Sequence, residues 1–188
     1  MKVAIWCRHY QKSIIGIGPQ IPWHISSDFK RFKRVTSGKN IVAGQVTYES
    51  FPNRTLPNRK IYVMTFKQNY QVSDKENHFV INDKTLLDDI KGDLFIVGGA
   101  TIYKLFMSDE TTAPDCVIDC CYNGEYDMSL EGLPVHIQPC VDFMKQHYIP
   151  YPQTLTEDEV DVTLWIKKTA SVSEEELTGL WKRIADIK

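Results

Sequence analysis

The sequence predicts an α/β fold: a single domain with a central mixed, mostly parallel eight-stranded sheet, flanked by about four helices. Short β-branched and apolar runs alternate with short helical patterns along the 188 residues, and this alternation is typical of a parallel sheet covered on both faces. The last two strands are joined by an acidic turn around Glu157 and Glu159, which predicts an antiparallel C-terminal edge hairpin. An extra C-terminal helix follows.

Eight segments have the length and composition of strands. They are residues 2–8, 40–43, 60–65, 78–81, 94–97, 115–122, 143–150 and 160–168. Helical patterns cover residues 27–35, 45–50, 85–90 and 99–107. Because no repeat, low-complexity tract or linker divides the chain, we predict one domain over residues 1–168 and a helical extension over residues 169–188.

The extension has the marks of an amphipathic helix. Ser173 is a candidate N-cap, acids fill the first turn and bases come later, as the helix dipole favours. One side carries the apolar residues Leu177, Leu180, Trp181, Ile184 and Ile187. Such a stripe usually packs on its own domain, and the alternative is a helix that binds a partner.

Composition excludes several classes of protein. The net charge of −2 gives no reason to expect nucleic acid as a partner. No apolar run reaches the roughly 18 residues of a membrane span, and the N-terminus lacks a cleavage site, so a cytoplasmic location is the default.

The five cysteines lack paired C-x-x-C spacing, which argues against disulfides and a metal site. Cys116, Cys120 and Cys121 are better explained as buried strand residues than as redox or metal groups.

The stretch IPWHISSDF places an acid, Asp28, beside apolar residues. With Ser26 as N-cap, Asp28 lies in the first turn of a helix, at the edge of an apolar arc that includes Phe29 and Phe32. Lys30, Arg31, Lys33 and Arg34 take the opposite, polar arc. Asp28 is either an acid favoured by the helix dipole or a partly buried carboxylate with a raised pKa, able to pair with an amidine-like edge of a flat heterocycle.

Two strand–glycine–helix turns favour a phosphate-rich cofactor. Gly98 and Gly99 follow one buried strand, and Gly44 follows another, with Thr47 supplying a hydroxyl. Helix N-termini after such turns present N–H groups to anions. A nearby loop carries Arg59. Its guanidinium could bind a carboxylate through two parallel hydrogen bonds, or Arg59 could simply be a solvated loop residue.

In order and spacing, these stretches resemble the dihydrofolate reductase family, from about residue 2 to residue 168. The most specific element is Gly16 followed by Ile21-Pro22-Trp23, then Asp28 and Phe32. GQVTYES, Leu56-Pro57-x-Arg59 and IVGGATIY match the other family signatures. The resemblance implies reduction of 7,8-dihydrofolate to tetrahydrofolate by NADPH, with hydride transfer to C6 and protonation at N5. It also leads us to expect a monomer that binds antifolate inhibitors.

The resemblance also implies roles for individual residues. Asp28 and Trp23 would be catalytic, with Asp28 holding the pterin and supporting protonation. Arg59 would bind the carboxylate of the glutamate tail. The substrate pocket would comprise Trp6, Cys7, Asp28, Phe29, Phe32, Phe51, Leu56, Arg59, Val97 and Tyr103.

The cofactor site that the resemblance implies is longer. It would comprise Cys7, Ile15, Gly16, Gly18, Ile21, Gly44, Gln45, Val46, Thr47, Met64, Thr65, Phe66, Lys67, Val97, Gly98, Gly99, Ala100, Thr101, Ile102 and Tyr103. The Gly98–Gly99 peptide would be cis, and the loop over residues 16–21 would close over the nicotinamide.

The chain departs from the family pattern at three places. Trp6, Cys7 and Arg8 stand where small residues are common, and Asp119 aligns where a Thr commonly faces the catalytic acid; Arg8 either approaches Asp28 or pairs elsewhere. Gln45 and Val46 replace bases that grip the 2′-phosphate of NADPH, leaving Lys67 as a candidate for that role.

Three alternative functions stay open from the residues. The chain could reduce another pterin or a riboflavin-pathway intermediate, or bind folate or a nucleotide without turnover. The Pro22-Trp23 pair followed by an acid and Phe32 speaks against the riboflavin type, and Arg8 and Asp119 motivate the non-catalytic alternative.

Overall fold

The computed structural model describes residues 1–127 and 129–187. Within these residues the chain forms ten strands, which are β1 (Lys2–His9), β2 (Ile14–Ile17), β3 (Asn40–Gly44), β4 (Lys60–Met64), β5 (His78–Ile81), β6 (Leu94–Ile96), β7 (Cys116–Tyr122), β8 (Pro134–His136), β9 (Tyr148–Glu157) and β10 (Val160–Lys167). The α-helices are α1 (Ser26–Thr36), α2 (Gln45–Ser50), α3 (Ala100–Phe106), α4 (Gln138–His147) and α5 (Glu174–Ala185).

Eight strands form the main sheet, in the order β5-β4-β3-β6-β1-β7-β10-β9. The first six of these pair in parallel, whereas β10 is antiparallel to both β7 and β9. Asp158 and Glu159 form the turn between the last two strands, both with positive φ, the conformation that suits a tight hairpin. The predicted mixed sheet and C-terminal edge hairpin are therefore confirmed.

The helices divide between the two faces of the sheet. On one face, Val35 of α1 and the apolar side of α5 share a core with Ile5 and Ile118. On the other face, side chains of α3 and α4 pack with Trp6 and Val117. Neighbouring residues of β1 and β7 therefore point to opposite faces, as the strand period of two requires.

A second, two-stranded sheet was not predicted. β2 pairs with β8 in antiparallel fashion, and the Gly18 N–H donates to the carbonyl of Leu133 at 3.0 Å. Both strands are short and lack an alternating pattern. This small sheet holds the segment that leads from β2 toward Trp23 against the body of the protein.

Two predicted elements are wrong in type. The strand expected over residues 143–150 is mostly helix, because α4 runs to His147 and only then does β9 begin. Pro139 sits at the first turn of α4, where proline suits a helix start, and Cys140, Val141 and Met144 are buried at helical spacing. The helix expected over residues 85–90 is only a 3₁₀ segment, Lys84–Leu87.

Helix α1 differs from its prediction in two details. Ile25, and not Ser26, is the N-cap, and no side chain caps the helix. Arg31, assigned to the polar arc, is fully buried, because Ser27, Arg31 and Val35 form an i, i+4 stripe that points into the body.

Helix α5 begins as predicted and packs on the domain. Ser173 is its N-cap and forms a capping box with Glu176. Leu177, Leu180, Trp181 and Ile184 are buried; Ile187 lies past the end of the helix and is exposed. In the described part of the chain, no helix has the length and apolar character that crossing a membrane requires.

Candidate active site

A large cleft opens at the carboxyl ends of the parallel strands β3, β4 and β6, beside Ile5–Cys7 of β1. Ligands of open α/β sheets bind at this edge. The cleft has a volume of about 1440 Å³, whereas sites for one small ligand are usually about 300–1,000 Å³. It therefore has room for two ligands side by side.

Most of the predicted site residues line this cleft. Gly98 and Lys67 do not. The residues that do are Trp6, Cys7, Ile15, Gly16, Gly18, Ile21, Trp23, Asp28, Phe29, Phe32, Gly44, Gln45, Val46, Thr47, Phe51, Leu56, Arg59, Met64, Thr65, Phe66, Val97, Gly99, Ala100, Thr101, Ile102 and Tyr103. The four stretches singled out in the sequence thus meet in one place.

Asp28 is the one acidic residue that lines the cleft, among the residues the structure describes. Its side chain is 19 % exposed. Burial raises the pKa of Asp28, while the charge of Arg31 and hydrogen bonding by the thiols of Cys120 and Cys7 work in the opposite direction. The net direction is upward, so this carboxyl group holds a proton more readily than an exposed aspartate.

Arg8 and Asp119 lie away from Asp28 and satisfy each other. The guanidinium of Arg8 donates from Nε and Nη2 to the two Asp119 oxygens, at 2.7 and 2.8 Å. Trp6 Nε1 adds a third donor to this carboxylate at 2.7 Å. The pair lies on the face of the sheet opposite Asp28. Cys120, the residue after Asp119 in β7, therefore lies beside Asp28, in the position that the resemblance gives to Asp119.

Arg59 is held at the cleft wall by neutral oxygens. Its guanidinium donates to the hydroxyl of Thr36 at 2.9 Å and to the carbonyls of Pro57 and Lys33 at 2.6 and 2.9 Å. It is 7 % exposed, and burial lowers its pKa. No acid lies within salt-bridge distance of Arg59 in the described residues, so this fixed cation still lacks a counter-charge.

The glycine turns at the strand ends are closely packed. Gly44 N–H donates to the Gly98 carbonyl at 2.7 Å, and the Gly98–Gly99 peptide is cis. Gly98 has φ +100°, and a Cβ there would lie 3.0 Å from the ring of Tyr103, whose hydroxyl donates to the Ile5 carbonyl at 2.6 Å. Only glycine fits at such a position. Its neighbours Gly44 and Gly99 line the cleft with bare backbone, which suits the close approach of a dinucleotide.

The side chains of Gln45, Val46, Thr65 and Phe66 form a neutral part of the cleft wall. The amide of Gln45 accepts from the Thr65 hydroxyl at 2.8 Å and donates to Glu49 at 3.0 Å. Val46 and Phe66 are 62 % and 85 % exposed, so apolar surface is available here to a flat ring. No basic side chain stands at position 45 or 46 to oppose the charge of Glu49.

Several residues around the cleft were missed in the sequence. Cys120 could have been found, since strand alternation puts it on the face of Ile118 and not on that of Asp119. Arg31 and Glu157, which meet beside Asp28 with a distance of 3.0 Å between Nη2 and Oε2, come from segments with no shared motif. Val135 lines the cleft from β8, within a stretch that carried no recognisable pattern.

Comparisons with known proteins agree with one another. A family model described as dihydrofolate reductase matches residues 2–127. Dihydrofolate reductase of Staphylococcus aureus is 32 % identical over 104 residues, which is 55 % of this chain and 63 % of the relative. The chain thus spans less than two thirds of that relative's length.

Other relatives match over a longer stretch. Dihydrofolate reductase of Mycoplasma genitalium is 28 % identical over 149 residues, covering 76 % of this chain and 92 % of the relative. That of Neisseria meningitidis serogroup A is 32 % identical over 132 residues, covering 70 % and 76 %. A solved structure of dihydrofolate reductase from Enterococcus faecalis, complexed with NADP(H) and RAB-propyl, superposes with a TM-score of 0.71 at 23 % identity, covering 89 % of this chain and 96 % of that one.

Proposed function

This chain belongs to the dihydrofolate reductase family, and we propose that it reduces 7,8-dihydrofolate to 5,6,7,8-tetrahydrofolate with NADPH. The proposal is carried by one observation: among the residues that the structure describes, the cleft combines one carboxylate, Asp28, beside apolar side chains, with an Arg59 guanidinium that has no acid within salt-bridge distance. A dihydrofolate molecule has a matching polarity, with an amidine-like pterin edge at one end and a carboxylate tail at the other.

Asp28 has the properties that the pterin end requires. A carboxylate pairs bidentately with a ring N–H and the adjacent amino group. Because its pKa is raised by burial, the group also holds a proton more readily than an exposed aspartate, a property that favours general acid–base work. In this proposal Asp28 holds the pterin and supports protonation at N5, with Phe29 and Phe32 beside the ring.

Trp23 and Cys7 complete the surroundings of the acid. Trp23 is 9 % exposed and lines the cleft together with Cys7. Burial raises the pKa of Cys7 well above its usual value, so the thiol is neutral in the working pH range. Both residues therefore shape the site and keep water from it, leaving the charge on Asp28.

The second half of the cleft fits a dinucleotide. Bare backbone at Gly44 and Gly99 and the hydroxyls of Thr47 and Thr65 would hold the phosphates, and Tyr103 and Val97 would lie toward the reacting end. When bound, NADPH supplies the hydride that reduces C6 of the substrate. The segment 16–21, which lines the cleft, would cover this end and exclude water.

The alternative of a protein that binds folate or a nucleotide without turnover is not supported by the residues that suggested it. It depended on Arg8 and Asp119, and these residues pair with each other on the opposite face of the sheet. As further parts of the proposal, the protein acts as a cytoplasmic monomer, and antifolates with an amidine-like edge compete for Asp28.

The test is oxidation of NADPH, followed at 340 nm, with dihydrofolate as substrate. Asp28→Asn keeps the shape of the side chain and removes the acid, and we expect kcat to fall by about 10²–10⁴-fold. Asp142→Asn, on the far face at helix α4 and exposed, is the matched control and should turn over at the wild-type rate. Absence of dihydrofolate-dependent oxidation in the wild type refutes the activity, and equal rates for Asp28→Asn and wild type refute the role of Asp28.

A further inference from the structure

Arg31 is a fully buried cation beside the acid of the cleft. It is 0 % exposed, although bases on the same helix, such as Lys30, are exposed. Its Nη1 lies 3.6 Å from Oδ1 of Asp28. Its Nη2 donates to Oε2 of Glu157 on strand β9, at 3.0 Å.

The guanidinium is incompletely satisfied by the protein. Among the described residues, Nε and Nη1 have no hydrogen-bond partner. Burying a charged group without full hydrogen bonding is costly, so a residue of this kind needs a compensating charge close by. Glu157 is half exposed and is a weak partner by itself, whereas Asp28 is largely enclosed and lies on the side of the unpartnered Nη1.

Three titratable side chains lie near Asp28 on the elements packed around it. Cys7 of β1 and Cys120 of β7 are thiols whose pKa values burial raises well above the usual range. Burial also raises the pKa of Tyr103 of α3. At neutral pH these three groups are uncharged, so within the described part of the chain Arg31 is the one charged side chain that acts directly on the acid.

The other nearby charges are accounted for. Asp119 is neutralised by Arg8 on the opposite face of the sheet. Glu157 contacts Arg31 and not Asp28. The three groups Asp28, Arg31 and Glu157 therefore form a line that runs from the cleft to the surface at β9.

We propose that Arg31 is a positioning residue for Asp28, holding its carboxylate in place and coupling it to the surface acid Glu157. The inference rests on the proposed function, since Asp28 is taken as the group that binds and protonates the substrate. Arg31 itself does not line the cleft, so it acts through Asp28. A cation at this distance stabilises the charged form of the acid and thus sets the pH range in which the carboxyl group is protonated.

Arg31 could be only a strut between α1 and β9 through Glu157. A strut affects stability alone, whereas a positioning residue also shifts the titration of Asp28. The discriminating measurement is therefore the titration of the acid itself.

The experiment is an NMR titration of the protein labelled with ¹³C at the aspartate carboxyl groups, with the Asp28 signal assigned by Asp28→Asn. In Arg31→Met we expect the Asp28 midpoint to move to higher pH by about one pH unit or more, because an opposite charge within about 4–6 Å typically has an effect of this size. Arg31→Lys keeps the charge and should restore most of the wild-type midpoint. Lys30→Gln removes an exposed charge from the same helix and should leave it unmoved.

Glu157→Gln keeps the proposal testable if the Arg31 variants do not fold. It removes a surface charge that competes for the guanidinium, so the Asp28 midpoint should move to lower pH, opposite to Arg31→Met. An unmoved midpoint in Arg31→Met, or in Glu157→Gln when the Arg31 variants are unfolded, overturns the proposal. Because the titration needs no turnover, an inactive wild type would refute the proposed function without deciding this question.

In the active enzyme the same effect has a kinetic counterpart. The basic limb of the pH profile of kcat/KM for dihydrofolate should follow the Asp28 midpoint, moving to higher pH in Arg31→Met and back in Arg31→Lys. A loss of activity without any change in the shape of the profile would point to the strut and overturn the positioning role.

Discussion

Arg8 and Asp119 form a buried, bidentate ion pair between neighbouring strands, with Arg8 donating at 2.7 and 2.8 Å. Both side chains are at most 10 % exposed. The indole of Trp6 donates to the same carboxylate, so Asp119 satisfies two buried donors at once. The charges cancel locally, and this cancellation is what frees Asp28, on the other face, from a second carboxylate.

Asp119→Asn should destabilise the protein by about 3–5 kcal/mol, because it leaves the Arg8 charge buried without a partner. Urea unfolding followed by fluorescence measures this loss. Asp88→Asn, which removes the exposed partner of Lys2, is the control and should cost about 1 kcal/mol or less. If the two substitutions lower the free energy of unfolding equally, the buried Arg8–Asp119 pair contributes no more to stability than the exposed pair.

Asp28→Asn should stabilise the folded protein at neutral pH while it abolishes most activity. The pKa of Asp28 is raised in the folded state, so ionising this carboxyl group costs folding free energy above the unfolded pKa of about 3.9. The cost vanishes once both states are protonated. We expect a gain of about 0.5–2 kcal/mol at pH 7, which shrinks as the pH falls through the raised folded-state pKa and is gone below the unfolded pKa of about 3.9.

Urea unfolding of wild type and Asp28→Asn over a pH series checks this sign. Asp142→Asn removes an exposed carboxylate and should follow the wild-type curve. A wild type more stable than Asp28→Asn at pH 7 would show that the attraction between the Asp28 carboxylate and Arg31 outweighs the cost of burying the carboxylate.

The order and type of most elements could be predicted because each carries its own local pattern. The parallel strands are continuous apolar runs, and the glycine turns after β3 and β6 mark where the sheet ends. The segment around α4 failed for a physical reason: Cys140, Val141 and Met144 are buried, but the run HYIPYP that follows is rich in aromatic and β-branched residues and favours a strand. The tertiary packing of α4 decides where the helix ends and β9 begins, and no single residue in the sequence marks that boundary.

The site was predictable to the extent that its residues stand in short motifs. Asp28, Arg59 and the glycine turns do. Arg31 does not, because its burial depends on strand β9 and helix α5 covering the outer side of α1, where Arg34 donates to the carbonyls of Arg183 and Ile184. Helical periodicity assigns a charged side chain to solvent by default, and only the assembled structure shows that this one is enclosed.

Gln45→Arg should strengthen the preference for NADPH over NADH. The resemblance assigns the 2′-phosphate to this part of the cleft, where Gln45 is neutral and hydrogen-bonds Glu49. A charge-assisted hydrogen bond contributes about 1.5–3 kcal/mol, so KM for NADPH should fall about 10-fold or more with KM for NADH unchanged. The ratio of kcat/KM for the two cofactors measures this.

Two controls sharpen the cofactor prediction. Val46→Thr alters the neighbouring side chain without adding charge and should leave the ratio unchanged. Lys67→Ala tests the base left in this region; if it lowers the NADPH preference of the wild type, Lys67 grips the phosphate, although it does not line the cleft wall. An unchanged ratio in Gln45→Arg would place the 2′-phosphate elsewhere.

Arg59→Gln should weaken substrate binding through the glutamate tail alone. Its guanidinium is fixed by Thr36, Pro57 and Lys33, so it is already oriented for a carboxylate and loses little entropy on binding. Removing a charge-assisted pair costs about 1.5–3 kcal/mol, which corresponds to a KM for dihydrofolate raised about 10–100-fold. Because the tail is remote from the reacting atoms, it is bound equally in the ground and transition states, and kcat should change little.

A substrate analogue makes this prediction specific. Dihydropterin without the benzoylglutamate tail offers no carboxylate, so its kcat/KM should be the same for wild type and Arg59→Gln. Arg54→Gln removes an exposed arginine from the same loop and should leave KM for dihydrofolate unchanged. Equal losses for dihydrofolate and the tailless analogue would show that Arg59 supports the wall of the cleft through Thr36 and Lys33 and does not bind the substrate.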